Sequence, residues 1–211
     1  MENYLIQEAE DSDWSEIKNI CAQTGQAGNP VEPERAELYS EIWVGPYETI
    51  SDNYSVGLVC KNEDSVQGYL LGANDSKAFR RWKTILFDVP LFFKILLRRY
   101  PNNSDAKRFK RRFFKKEKSP EDSFSVNDLK EIQNSFPAHL HMNFLLQARG
   151  QGLGRKIFLQ FVQILKEQNV PGLHLYCGTE ARAFYLKCGF AEFRKIEFRP
   201  GVNVFLMTYK V

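Results

Sequence analysis

Apolar and polar positions alternate in short blocks along the chain, and the period of each block predicts an element. Residues 3–9, "NYLIQEA", read as a short opening strand. Asp11 or Ser12 then offers a cap for a helix running to about Gln23, with Trp14, Ile17 and Ile20 on one face. "TGQAGNPVEP" breaks that helix with glycine and proline. Glu34 to Trp43 predicts a second helix, and "VGPYET" after it a turn. "NYSVGLVC" and "SVQGYLLGA", joined by "KNED", predict a hairpin.

Lys77 to Tyr100 has helical spacing with a break expected near Pro90. Asn102 to Asp122 is polar and basic and predicts a loop or a mobile helix. "SVNDLKEIQNSF" predicts a capped helix and "AHLHMNFLL" a strand. Gly152 to Gln168 is helical, with Leu153, Ile157, Phe161 and Ile164 as its apolar stripe. "GLHLYC" follows as a strand, "EARAFYLKCGF" as a short helix. "AEFRKIEF", the turn "RPGV" and "NVFLMTYKV" close as a second hairpin. Early strands that pair locally, with a strand–helix–strand unit in the C-terminal half, imply a mixed α/β sheet covered by helices on both faces.

A length of 211 residues, 43% hydrophobic and 26% charged, suits a folded globular chain with a sizeable core, expected to form a single domain over 1–211. The four cysteines, Cys21, Cys60, Cys177 and Cys188, lack metal-ligand spacing. Buried free thiols in a reducing compartment are expected, and no metal. The first residues lack a basic start followed by an apolar core, and no run reaches the ~18 apolar residues of a membrane span. A cytoplasmic location is the expectation.

The richest stretch is "QARGQGLGRK", residues 147–156, between a strand and a helix. A helix N-terminus presents unpaired N–H groups and a positive dipole end, and glycines let an anion approach them. Arg149 and Arg155 add charge, so the chemistry is that of a phosphate or pyrophosphate site. The phosphate loop GxxxxGK[ST] is absent. The dinucleotide fingerprint needs GxGxxG and an acid some twenty residues on. Here Gly150, Gly152 and Gly154 give GxGxG, and no acid ends "GLHLYC". Small residues at a helix packed closely on its strand would give the same pattern.

Arg149-Gly150-Gln151-Gly152-Leu153-Gly154 resembles the R/Q-x-x-G-x-G pyrophosphate signature of the GNAT superfamily of acyl-CoA N-acetyltransferases. "ARAFYLKCGF" is similar to that family's second signature through Ala181, Phe184, Tyr185, Gly189 and Phe190. "FPAHLHMN", with "IWVGPYE" and "QGYLLGA" upstream, further resembles the acetyltransferase-like domain of O-GlcNAc hydrolases and its free-standing bacterial relatives. That likeness leaves out about 101–121.

The resemblance implies a mostly antiparallel central sheet in which two parallel strands, "HLHMNFLL" and "GLHLYC", splay apart around acetyl-CoA as cosubstrate. The backbone of Phe144 and Leu146 would pair with the pantetheine arm. The segment from Gln151 to Arg155, Leu153 included, would hold the pyrophosphate, and side chains at Gly152 and Gly154 would block it. An amine, on a small molecule or a peptide, would attack the thioester directly, and Tyr185 would protonate the departing thiolate. His139 and His141 share one face of their strand and are candidate bases, since imidazole titrates near neutrality. A histidine in a central strand also serves as a satisfied core group. Asn143 stands where close relatives carry Asp, and Gly178 where many carry Asn, which leaves Glu180 or a histidine as base. A catalytically weak acyl-CoA-binding module, with or without a homodimer, is the alternative.

Charge is uneven. Arg80 to Lys118 holds fourteen Lys/Arg against three Asp/Glu, a net +11, so the remainder carries −8. This run sits in an expected insertion at about 79–121. Its apolar part, "VPLFFKILL", is expected to pack as a helix over the sheet or a partner subunit. Its basic part, 107–118, is expected to be exposed and mobile, steering acidic ligands or touching nucleic acid or an anionic membrane.

Overall fold

The computed structural model describes residues 4–50, 54–63, 65–114, 117 and 120–211. Asn3, Asn53 and Asp64 of the expected strands and hairpin turn, and Lys115, Lys116 and Lys118 of the basic run, lie outside the described residues. In chain order the elements are β1 (Tyr4–Glu8), α1 (Trp14–Thr24), α2 (Pro33–Thr49), β2 (Ser55–Asn62), β3 (Ser65–Ala73), α3 (Ser76–Trp82), α4 (Val89–Leu96), α5 (Ser104–Phe113) and α6 (Val126–Ser135). Then come β4 (Ala138–Phe144), α7 (Leu153–Glu167), β5 (Gly172–Cys177), α8 (Thr179–Lys187), β6 (Ala191–Arg199) and β7 (Val202–Lys210).

The strands form one seven-stranded sheet in the order β1-β2-β3-β4-β5-β7-β6. Every neighbouring pair is antiparallel except β4 and β5. Strand alternation sends Leu58, Cys60 and Leu70 to one face and Val59, Tyr69 and Leu71 to the other. The first face packs on α7 through Ile157, Phe158, Phe161 and Leu165. The second packs on α1 and α2 through Trp14, Ile17, Ile20, Val44 and Tyr47. Gly72 lets α7 lie close, because a Cβ there would run into the Phe161 ring. The expected mixed sheet with helices on both faces is therefore the architecture found.

Four local expectations change. The first helix is preceded by a short 3₁₀ turn at Asp11–Asp13, and Asp13, not Asp11 or Ser12, accepts the Glu10 N–H at 3.0 Å. "VGPYET" does not turn but extends α2, with Pro46 inside the helix. Proline removes one helical hydrogen bond. Burial of Val44, Gly45, Pro46 and Tyr47 against the sheet and α4 side offsets that loss. The buried stripe of α7 ends on Leu165, while Ile164 is only half-buried. Pro90 does not break its helix either: residues 83–88 form a π-helical turn that carries the chain into α4 with Pro90 in the first turn, where its missing N–H costs least.

The largest correction concerns the basic run. α4 does not cover the sheet. Leu91, Phe92 and Ile95 pack instead on Leu38 of α2 and on Ala106 and Phe109 of α5, a third cluster. α5 is thus a helix, one of the two forms expected, and it is packed on its neighbours. Asn103 caps it by accepting the Ala106 N–H at 3.0 Å. Buried Asp105 pins it to α2 by accepting from Arg35 Nε at 2.8 Å and from a terminal nitrogen at 3.2 Å, a forked pair that fixes orientation. Periodicity hid this because only Ala106, Phe109 and Phe113 mark the apolar face among seven polar neighbours. Phe109→Ala should lower stability by about 3 kcal/mol in urea unfolding. Lys107→Ser, on the solvent side of the same helix, should stay within ~0.5 kcal/mol.

Candidate active site

The parallel strands β4 and β5 pair at only two positions, Ala138 with Leu173 and His139 with His174. Beyond them the strands diverge, and one edge of β4 runs on without a neighbour while its other edge stays paired to β3 through Phe144. A cavity of about 630 Å³ opens at this gap. His141, Met142, Asn143 and Phe144 of β4 line it, with Arg149, Gly150, Gly152, Leu153, Gly154 and Arg155 below and Tyr185, Phe184 and Glu180 of α8 opposite. The two signatures, some thirty residues apart in sequence, thus meet across one space.

Gly150 and Gly152 adopt φ of 78° and 77°, the left-handed region, and the position of a Cβ on either meets no atom within 4 Å. That open side belongs to the cavity. The backbone therefore rises to the start of α7 with no side chain between its N–H groups and the space above. No side chain caps α7, so its first-turn donors remain available. Gly154 differs: a Cβ there would meet the Phe184 ring at 3.1 Å, so this glycine serves the packing of α7 on α8. Arg149 is committed to the protein. Its Nε donates to the Phe144 carbonyl at 2.9 Å and a terminal nitrogen to the Gly28 carbonyl at 3.2 Å.

That grip ends β4 at Phe144, so Leu146 is not in extended backbone as the strand prediction had it. It begins a 3₁₀ turn, is 77% exposed and does not line the cavity. Gln151 also turns away, donating to the Gln147 carbonyl at 2.9 Å. His139, next to the β4–β5 pairing, lies outside the lining as well.

The two strand histidines have different surroundings. Ser76 Oγ donates to the Pro137 carbonyl at 2.6 Å and lies 2.7 Å from His139 Nδ1, so the ring nitrogen must be the donor in that second bond. His139 Nε2 then accepts from the Tyr47 hydroxyl at 2.9 Å. Burial, with the neighbouring charges of His174, Arg80 and His141, pushes His139 down to about 3. His141 does line the cavity. Asn143 Nδ2 donates to the Tyr69 hydroxyl at 3.0 Å and lies 3.3 Å from His141 Nε2; an amide nitrogen can only donate, so that ring nitrogen is an acceptor, and the Tyr69 hydroxyl lies 3.0 Å from it as well. Trp43 stacks on its ring at 5.6 Å, and burial pushes His141 down to about 4. Both imidazoles are therefore neutral at pH 7.

Tyr185 is buried, set edge-on against Phe184 and Phe190, and its phenol is raised well above the ordinary tyrosine value by burial first and by the nearby thiols second. It keeps its proton across the physiological range. Cys177 is half-buried rather than fully buried, and all four cysteines are free. Among the described residues no group of three or more His, Cys, Asp or Glu is placed to hold a metal.

Two parts of the wall went unread in the sequence. The loop after α1 supplies Gly25, Ala27 and Gly28, and Tyr39 reaches it by donating to the Gly25 carbonyl at 3.0 Å. Tyr39, Trp43 and Tyr47 recur every fourth residue, and two of them, Trp43 and Tyr47, engage the two strand histidines. That aromatic spacing was the available signal, masked by the expectation that the helix ends at Trp43.

No protein-family profile matches the chain. Over 45 residues it is 47% identical to a protein of Oryza sativa subsp. japonica named "Probable glucosamine 6-phosphate N-acetyltransferase 2", which is 21% of this chain and 27% of that protein. The chain spans about a quarter of the length of that curated relative. Among solved structures it superposes on SsHAT with a TM-score of 0.73 at 23% identity, covering 99% of this chain and 98% of that one. An N-acetyltransferase from Staphylococcus aureus Mu50 matches at 0.58 and 12%, again over 99% and 98%. The structure of yncA from Salmonella typhimurium with its cofactor acetyl-CoA matches at 0.55 and 11%, over 99% and 94%.

Protonation of the two half-buried strand histidines carries a stability signature. Each ordinary imidazole titrates near 6.5, while His139 and His141 stay neutral down to about 3 and about 4. Between those values the unfolded chain binds protons that the folded chain refuses. Stability should be full above about pH 6.5 and fall as pH drops towards 4. The loss at pH 5 should be about 2 kcal/mol per imidazole in urea titrations, and His139→Gln should flatten the slope. With its divergent parallel strands, glycine loop and covering helices, the chain has the fold of the GNAT-family N-acetyltransferases.

Proposed function

We propose that the chain transfers an acetyl group from acetyl-CoA to a primary amine. The observation that carries this reading is the joining of an unpaired strand edge, an open glycine loop at a helix N-terminus and a protonated tyrosine around one cavity. When bound, acetyl-CoA supplies an acyl thioester. The first-turn N–H groups of α7, from Leu153 to Arg155, and the open backbone at Gly150 and Gly152 would hold its pyrophosphate, and the edge of β4 would hold its extended arm. Arg155 would add positive charge at the rim. Arg149 contributes by fixing the Gly28 loop and the end of β4.

Tyr185 keeps a proton at the end of the cavity and would deliver it to the departing sulfur. Of the two histidines we assign the acceptor side to His141, whose Nε2 would take the amine's proton once it releases the Tyr69 hydroxyl, and a holding role to His139. Glu180 also lines the cavity and is the other candidate base. The acceptor is a small-molecule or peptide amine, and an amino sugar phosphate is one acceptor to include in a screen because of the rice relative. The "FPAHLHMN" run supports a kinship with the acetyltransferase-like domain of O-GlcNAc hydrolases as part of this proposal, with one domain over 1–211, an insertion at about 79–121, a cytoplasmic location and a homodimer as further expectations.

One observation favours a weaker activity. Asn143 cannot act as a base, and both it and His141 Nε2 are bonded to Tyr69, so no unengaged base faces the cavity from β4. A binding module would take up CoA yet release no thiol with any amine.

Thiol release from acetyl-CoA over a panel of amines separates the readings, and calorimetry with CoA tests the shared premise. Tyr185→Phe should lower turnover about 10²-fold while CoA affinity stays within about threefold. Gly152→Val should abolish CoA binding with most of the fold kept. Gly154→Val should instead lower the melting temperature, because its Cβ meets Phe184 rather than the cavity.

A further inference from the structure

The outer side of the α4–α5 pair combines two properties that the proposed acetyl transfer does not use. α4 buries Leu91, Phe92 and Ile95 but also turns a second apolar stripe to solvent. Ile85, Val89, Phe93, Leu96 and Leu97 follow helical spacing along it, with Phe93 56% and Leu97 71% exposed. Phe114, just past the end of α5 and 58% exposed, joins this stripe: its ring and that of Phe93 lie 5.4 and 5.9 Å from Phe92. Contiguous exposed apolar surface of this kind marks an interaction site.

Exposed cations sit next to the stripe in sequence on α4 and just beyond it, and on the paired helix α5. Lys94, Arg98, Arg99 and Lys107 are exposed and carry no ion pair among the described residues. The three acids of the run are consumed elsewhere. Asp88 pairs with Lys83 at 2.5 Å, buried Asp105 with Arg35, and Glu117 with Arg111 at 2.9 Å and Arg108 at 3.4 Å. Positive charge on these four residues therefore has no ion-pair partner among the described residues.

We infer that this face attaches the protein to an anionic lipid bilayer, with Phe93, Leu97 and Phe114 entering the headgroup–acyl boundary and Lys94, Arg98, Arg99 and Lys107 meeting lipid phosphates and carboxylates. The charge decides the occupant. A second copy of the chain would bring the same cations face to face, which like-charge repulsion opposes. A nucleic acid would meet the cations but leave an aliphatic stripe without a partner. An anionic membrane surface satisfies both, and a helix lying in the interface uses this division of residues. No helix among the described residues is long and apolar enough to cross a membrane, so the attachment is peripheral.

The test is co-sedimentation of the full chain with vesicles of phosphatidylcholine alone and with about one-third phosphatidylserine, at low and high salt. The wild type should pellet with the anionic vesicles, release with salt and ignore neutral ones. Phe93→Asp/Leu97→Asp and, separately, Lys94→Glu/Arg99→Glu should each weaken the partition at least about tenfold. All four positions are exposed, so unchanged melting temperatures check that the variants fold. Failure of the wild type to bind anionic vesicles, or equal binding by both variants, overturns the inference. Self-association in sedimentation velocity that Phe93→Asp/Leu97→Asp abolishes, without vesicle binding, would give the face to a second copy. Binding of a single-stranded oligonucleotide that survives Phe93→Asp/Leu97→Asp, again without vesicle binding, would give it to nucleic acid.

Discussion

Where β4 and β5 meet, only two residue pairs hold them, and the rest of the molecule is arranged around what happens after the second. A sheet that stayed paired would bury the edge of β4 and close the cavity. Divergence leaves that edge with unmatched backbone groups, which are costly unless solvent or a ligand satisfies them. The glycine loop follows directly from the end of the same strand. One event in the sheet thus leaves both an unpaired strand edge and, a few residues on, a helix start that no side chain caps. The hairpins on either side, β2–β3 and β6–β7, keep the two halves rigid while their junction stays open.

Neutral polar groups support that junction from the α2 side. His139 is bonded at both ring nitrogens, and His141 is held by Tyr69 and stacked on Trp43. Desolvation keeps both uncharged, so the centre of the sheet carries hydrogen-bonding capacity without buried charge. The cost appears only in acid, where the unfolded chain gains protons. The same economy limits chemistry: a histidine whose basic nitrogen already accepts a hydrogen bond must yield that bond before it takes another proton.

Much of this was legible in the residues themselves. Strand alternation in "SVQGYLLGA" and "AHLHMN" gave the two faces, and paired signatures around Gly152 and Tyr185 pointed to one shared space. Local rules failed where tertiary packing outweighed them. Pro46 and Pro90 sit in continuous helix because buried neighbours or a π turn absorb the missing donor. α5 read as a charged loop or a mobile helix because its few buried apolar residues, Ala106 and Phe109, are spaced among cations. Its partner on α2, Leu38, is remote in sequence. The Gly25–Gly28 wall was illegible for a similar reason, since its place at the cavity depends on Arg149, more than a hundred residues away.

Helix α2 touches both territories. Tyr39 and Trp43 face the cavity side, while Leu38 and Ile42 pack into the cluster beneath α4 and α5, and Gly45 lets Phe87 approach its backbone. A single rigid rod with contacts on two sides is a route for linkage. Any engagement of the outer helices that repositions α2 alters the ring stacked on His141, and by thermodynamic reciprocity filling the cavity alters that engagement by the same factor. Were the outer helices to seat on a surface, one helix would join that seat to the occupancy of the cavity.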